Sequence, residues 1–456
     1  MNFNKTTPFK IDITNNQNYI IMKQCNKIYL RYSVCILALL LSVSSSGFVA
    51  GMNPHVIPQS SGLMLATFEV DATPPVGYQM AYNPVVKTWD MGLRAKGIIL
   101  SGAGQPIVLV AFDWIGISNE SQDEFKRALA SAAGTIPQRV AVHCLHQHDA
   151  PRGDIQNDFV LAVLHRLEMA IVKSLEQPQP VTHIGLGTAK VDQVASNRRI
   201  LGQDGKVRAT RWTASPDPAI RAEPEGLIDP MLSEVSFWNG DKPVAVLSFY
   251  ASHPQSYYET GIPNPDYPGI ARFYRQLAVP DALHIHFTGA GGNVGAGKYN
   301  DGSHEMRGIL AERVADGMKR AWENSKRIPV SASSVSWNIE PVALIPDSLK
   351  NSGARSSSFF QRYKEGKKID IQCLSLDKAR ILFMPGELCI EYQIAAKAMR
   401  PDLFVAMAAY GDVGPGYIPT AKAFTEGGYE PSASRITPEA ESVLMSAMKK
   451  LLKVKP

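Results

Sequence analysis

Residues 97–151 read GIILSGAGQPIVLVAFDWIGISNESQDEFKRALASAAGTIPQRVAVHCLHQHDAP, and this stretch decides the fold class. It opens with two β-rich runs joined at a glycine-rich turn. NESQDEFKRALASAAG (119–134) then has helical spacing and a glycine stop, and RVAVHCL (139–145) is again an apolar strand. The same alternation continues through the helix-like NDFVLAVLHRLEMAIVKSLEQ (157–177), a hairpin turning at Asp204-Gly205, strands at 232–239 and 243–253, and further helices and strands to 411. It predicts an α/β (or α+β) protein: a mixed β-sheet core with helices packed on the sheet faces. Polar, glycine-rich and histidine-rich stretches recur just after apolar strands: HQHDAPRGD (146–154), SHPQSYYETG (252–261), TGAGGNVGAGKYNDG (288–302), PGE (385–387) and YGDVGPGYIPT (410–420). Residues at strand ends can converge on one cleft.

The 456 residues, 45% of them hydrophobic and 20% charged, suffice for a large core without disulfides. The formal net charge of +5 comes without a basic tract interleaved with aromatics, which argues against a nucleic-acid partner. Residues 1–50 differ from the rest. Lys23, Lys27 and Arg31 precede an apolar run from Val34 to Val43 and the small residues Ser44–Gly47, the layout of a secretory leader, with Met22 a candidate start. The run is short for a bilayer span, so a secreted or periplasmic protein with no stable membrane span after leader removal is expected. Cys25 and Cys35 leave with the leader, and Cys144, Cys373 and Cys389 are expected as buried thiols. Near the end, Thr437 is the expected cap and Pro438 the first residue of a last helix.

Of the ten histidines, three lie within 143–148. On a strand, His146 and His148 share a face and His143 points opposite, into the core. An H-x-H pair offers two imidazole nitrogens to a metal, and His253, at the end of another strand, offers a third. Glu387 follows a strand and a Pro-Gly turn. Asp113 is read either as orienting a ligand histidine or as a turn cap. GNVGAGKY (292–299) satisfies the spacing of a phosphate loop, but Tyr299 stands where such a loop needs Ser or Thr. Its glycines more simply let backbone approach a site closely.

The ordered set ATFEVDATPPVG, LVAFDWIGIS, HQHDAP, SNRR, ASHPQS, TGAGGNVGAG, MPGE and GYIPT resembles the neutral, non-lysosomal ceramidases and their bacterial relatives over nearly all of the chain after the leader. The resemblance implies a single-zinc site at strand ends, with one zinc ion per chain held by His146, His253, Glu387 and Tyr417. His148 lies beside the metal as general base or proton shuttle. Arg198 and Tyr429 match a further arginine and tyrosine of that family, and Arg198 or Tyr429 is the expected stabiliser of a developing oxyanion. Residues 62–456 would form the catalytic domain, without the family's C-terminal immunoglobulin-like domain.

Two positions depart from the pattern: Gly295 stands where the family has an essential serine, and Asn293 where it has an aspartate. Attack by metal-activated water is therefore expected rather than a covalent route. The expected substrate is a small-molecule, lipid or glycan N-acyl compound. An acylated carbohydrate cleaved at an ester or amide is a second reading, for which Trp114, Tyr257, Tyr258 and Tyr299 would stack on sugar rings. A binding protein that has kept the scaffold without activity is a third.

Overall fold

The computed structural model describes residues 62–88, 90–350 and 358–454. The leader expected over 1–50 lies outside the described residues. The first sheet contains β1 (Met64–Asp71), β2 (Arg94–Ser101), β3 (Ile107–Phe112), β4 (Val140–Cys144) and β5 (Gln179–Pro180), ordered β4-β3-β2-β1-β5. The second contains β6 (His183–Lys190), β7 (Met231–Asn239), β8 (Lys242–Tyr250), β9 (Leu283–Thr288) and β10 (Lys326–Pro329), ordered β9-β8-β7-β6-β10. The third runs β11-β12-β13-β14, from Val335–Val342 through Ile369–Leu376 and Ala379–Phe383 to Phe404–Ala408.

Each sheet is antiparallel except for one parallel pair: β3/β4, β8/β9 and β13/β14. Parallel neighbours need a crossover, and each pair is joined through a helix: Asn119–Ala132, Asp266–Ala278 and Ile390–Met399 respectively. The inner faces of all three sheets share one core, to which Leu109, Ala141, Leu247, Phe287, Ile381 and Ala408 contribute. Helices cover the outer faces, the first sheet packing against Phe125 and Leu167 and the third against Tyr392 and Leu444. Buried on both sides, β3 reads IVLVAF without alternation, and all six residues are inaccessible to water. The carboxyl ends of the parallel strands are followed by His146 and His148 after β4, His253 after β8, Glu387 after β13 and Tyr410 after β14.

The last helix starts later than its cap residues imply. Ile436 bridges to Pro346 and the Thr437 N–H bonds to the Ile345 carbonyl, which keeps the chain extended, so the helix is Ala440–Leu451. Cys144, Cys373 and Cys389 are buried and free.

His143 points into the shared core as expected, beside Phe383 and Phe287, and its Nδ1–H donates to the Ala409 carbonyl at 2.8 Å. Burial pushes its pKa down to about 4; His284 and His286 fall to about 3, by burial first and then by nearby cations. The folded state keeps these rings neutral while the unfolded chain protonates them. Their stabilisation is therefore complete above the unfolded pKa of about 6.5 and is lost as pH falls towards 4. Glu234, pushed up to about 8 by burial against the pull of Arg275, acts in the opposite sense over an overlapping window, its contribution falling as pH rises from about 4.5 to about 8. Replacing His143 by Leu should reduce the slope of stability against pH between 4.5 and 6 by about one proton, roughly 1.4 kcal/mol per pH unit. Urea unfolding across that range reads it directly.

Candidate metal centre

The His146/His148 pair is not on a strand: β4 stops at Cys144. His146 takes a left-handed conformation, φ 69°, uncommon for a residue with a Cβ and costing about 1–3 kcal/mol. Its backbone N–H is held by the Trp114 carbonyl at 3.0 Å, and its Nδ1–H donates to the Ile115 carbonyl at 2.6 Å. This turn, rather than strand alternation, brings His146 and His148 together, with ring centroids 4.9 Å apart. The His253 ring lies 4.7 Å from that of His146 and 5.1 Å from that of His148. One nitrogen of each histidine lies within 4.8 Å of the others, and all three residues are buried.

The glycine loop after β9 supports this cluster. The His253 N–H bonds to the Val294 carbonyl at 2.9 Å, and its Nδ1 faces the Gly291 carbonyl at 3.3 Å. A Cβ on Gly292 would stand 2.4 Å from the Glu387 carbonyl oxygen, so only glycine lets the loop pass so close. Glu387 and Tyr417, thirty positions apart in sequence, are register partners in a short parallel bridge. The Glu387 carboxylate accepts a hydrogen bond from the Tyr417 hydroxyl and has Oε2 3.1 Å from His146 Nε2.

The donor set fits a cation. His146 Nε2, His148 Nδ1, His253 Nε2 and Glu387 Oε2 are buried without a hydrogen-bond partner among the described residues. With Nδ1–H given to a carbonyl, each of His146 and His253 turns a lone pair into the cluster, the arrangement that orients metal-ligating histidines. A lone pair and a carboxylate oxygen at 3.1 Å repel unless a proton or a metal ion lies between them. Burial raises the Glu387 carboxyl, but His146, Tyr417 and Arg198 outweigh it and hold it below its ordinary value. Burial, and then the neighbouring His146, push His148 and His253 well down, so both are neutral and able to donate electron pairs.

Arg198 is buried beside the carboxylate. Its guanidinium donates to the Gly292 carbonyl, faces Glu430 at 3.4 Å, and lies over the rings of Tyr417 (5.4 Å) and Tyr429 (5.5 Å). Its Nε has no partner among the described residues. A row of edge-to-face rings, Tyr417, Tyr429 and half-exposed Trp212, runs outward from the cluster. Tyr82 is stacked 5.7 Å from the His148 ring and Tyr258 lies 5.3 Å from it, both partly exposed. A cavity of about 350 Å³ opens along His146 and Glu387. A larger one of about 590 Å³, against Arg199, Leu201 and Glu426, contains no histidine; chemistry rather than size points to the smaller.

Several sequence expectations change. Asp113 orients no histidine: it is fully buried in a bidentate pair with Arg272 at 2.7 and 2.8 Å and accepts the Arg94 N–H. Trp114 is core, inaccessible to solvent and packed on Phe112 and Phe125. Tyr257 is engaged by Arg307 and His304, and Tyr299 by Glu225, so of the four aromatics named from sequence Tyr258 alone stands over the histidines. Asn293 bridges the Ile390 N–H and Glu391 as a structural clamp. At Gly295 the Thr213 methyl occupies the space a side chain would need, 2.7 Å from an ideal Cβ. Lys298, the lysine of the phosphate-loop lookalike, donates to the Arg221 and Glu223 carbonyls. Sequence reading passed over Tyr410, whose ring stacks on His146 at 4.5 Å and whose hydroxyl lies 3.4 Å from His253 Nδ1.

No model of a known family matches the chain. No curated protein matches it either. Among solved structures, neutral ceramidase from Pseudomonas aeruginosa shares the fold, with a TM-score of 0.62 and 14% identity over 87% of this chain and 76% of that one. A structure described as ceramidase complexed with C2 matches equally, at TM-score 0.62 and 14% identity, over 87% of this chain and 77% of that one.

Proposed function

We propose that the protein is an exported, zinc-dependent hydrolase that cleaves an N-acyl amide bond, with residues 62–456 as its catalytic domain. The observation that carries this is the convergence of one nitrogen each from buried His146, His148 and His253, with Glu387 Oε2 3.1 Å from His146 Nε2, beside a cavity. The fold shared with neutral ceramidase supports the reading. Export follows from the leader-like layout of residues 23–47. No helix among the described residues is long and apolar enough to cross a membrane.

His146 and His253 through Nε2, Glu387 through its carboxylate and Tyr417 through its phenolic oxygen would hold the ion. A zinc ion there supplies Lewis acidity for a carbonyl oxygen and brings the pKa of water near 7. His148, neutral and with a free ring nitrogen, takes a proton from the attacking water and delivers it to the departing amine. Arg198 and Tyr429 donate to the oxygen that gains negative charge. The carbonyl carbon gains the water oxygen, the C–N bond breaks, and a carboxylate and an amine leave. With Gly295 in place of a serine, no hydroxyl at that position takes part.

The exposed rings of Tyr82 and Tyr258 beside His148, and of Trp212 beside Tyr429, favour a second reading, an acylated carbohydrate as substrate. Metal analysis of the purified protein should find close to one zinc per chain. A panel of ceramides, N-acyl amino acids and acetylated glycans should show amide cleavage; release of acetate from glycans alone would select the second reading. A protein with no metal and no hydrolysis across the panel would be a binding protein on this scaffold.

A further inference from the structure

We infer that the substrate carries a carboxylate on the amine side of its scissile amide, seated on Arg152. The inference rests on the amide-hydrolase reading and adds to it the substrate class, an N-acyl amino acid. Arg152 belongs to the same 146–154 stretch as the histidine pair, and its backbone is clamped. Arg152 forms a parallel bridge with Gly116. On either side, the Ile115 N–H bonds to the Pro151 carbonyl at 3.3 Å and the Gly153 N–H to the Gly116 carbonyl at 2.9 Å. Gly153 packs so closely that a Cβ there would lie 2.5 Å from Ile117 Cγ1. The loop that places His146 therefore also fixes the root of the Arg152 side chain.

That side chain forms part of the wall of the 350 Å³ cavity together with His146 and Glu387. It is exposed, and among the described residues its guanidinium has no hydrogen bond and no ion pair. The other cations near the centre are occupied: Arg198 by Gly292 and Glu430, Arg272 by Asp113, and Arg307 by Ser256 and Tyr257. The acids of the same wall are engaged too, Asp154 by the Gln156 N–H and Glu120 by Ser358 and Arg362. The charge of Arg152 reaches both Tyr82 and His148, whose rings stack on each other.

An unpaired guanidinium on a clamped backbone, with five free donors, is the side chain best matched to a planar carboxylate, which it binds through two parallel hydrogen bonds. On the wall that holds His146, and within electrostatic reach of His148, the residue proposed to protonate the leaving amine, it serves the amine half of the substrate rather than the acyl half. The cavity lies near the lower end of the roughly 300–1,000 Å³ usual for small-molecule sites, which suits a compact amino-acid conjugate. Hydrolysis then consumes one water and yields an acyl carboxylate and a free amino acid.

The test compares N-octanoylglycine with its neutral analogue N-octanoylglycinamide on the zinc-loaded full chain. Wild type should favour the carboxylate by about tenfold in kcat/KM, the contribution of a charge-assisted hydrogen bond. Arg152→Gln should bring that ratio close to one, chiefly through KM. Arg152→Glu should instead favour the cationic analogue N-(2-aminoethyl)octanamide, an inversion that a merely structural role would not produce. A wild-type ratio near one, or a ratio kept in Arg152→Gln, would overturn the inference. If neither amide is cleaved, the amide-hydrolase reading fails on its own, and calorimetric binding of the same pair decides the Arg152 question. A preference for the carboxylate that vanishes in Arg152→Gln upholds it, and equal affinities reject it.

Discussion

A His146→Ala protein is expected to fold, to retain less than a tenth of the wild-type metal, and to lose roughly 10³-fold or more in kcat/KM, the several kcal/mol that Lewis-acid catalysis supplies. His146 is the hub of the cluster: its ring is the one in contact with His148, His253, Tyr410 and Glu387 together. Without it, the remaining donors no longer enclose one point. The metal-free fold should suffer little. The substitution loses the stacking on Tyr410 and the hydrogen bond to the Ile115 carbonyl, and it also removes a buried nitrogen that had no partner. Alanine at φ 69° keeps the left-handed strain that histidine already carries, so about 1–2 kcal/mol of destabilisation is expected.

Linkage makes the result diagnostic. An ion present at a thousand times its dissociation constant stabilises the wild type by about 4 kcal/mol. A chelator should therefore lower the wild-type melting temperature clearly and leave that of His146→Ala unmoved. A variant that kept full metal occupancy would remove His146 from the ligand set.

The layout of helices and strands was legible because it is written in local periodicity. The strand-end position of His253 and Glu387 followed from the apolar runs before them, β8 and β13. What periodicity does not carry is how strands from different sheets meet. Nothing local in IVLVAF or FVAMA indicates that three parallel pairs, in three sheets, turn their carboxyl ends towards one another. The H-x-H pair was read correctly as converging but for the wrong reason, since the chain leaves the strand before His146 and uses a left-handed residue to turn it inward. Asp113 was ambiguous because its partner Arg272 lies 159 positions away. Tyr410 and Tyr82 lie in loops, where an aromatic has no period to mark which neighbour it will cover. Glu430, next to a tyrosine that was singled out, gave no signal at all, yet the packing around it implies a large effect.

Replacing Glu430 by Gln should cost about 3–5 kcal/mol of stability, the penalty for leaving buried charge without its partner. Glu430 is 1% exposed and lies between two guanidinium groups, 3.4 Å from Arg198 Nη2 and 2.8 Å from Arg199 Nη1. Arg199 keeps Glu426 at 3.0 Å as a second partner. Arg198 does not have that reserve on its own side: it is buried against the rings of Tyr417 and Tyr429, and the other carboxylate acting on it is Glu387, already committed to His146 and Tyr417. The amide of Gln fills the same volume, so the loss isolates charge rather than packing. In the variant, Arg198 is drawn towards Glu387, where it competes with a cation for the same carboxylate. Urea unfolding should show the loss of stability, and zinc titration a dissociation constant raised about 10-fold or more, the usual cost of disturbing a partner of a ligand. Restoring the carboxylate one methylene short, as Glu430→Asp, should recover part of both. A Glu430→Gln protein within about 1 kcal/mol of wild type and unchanged in zinc affinity would mean that Arg198 is neutralised from elsewhere, and would detach this acid from the centre.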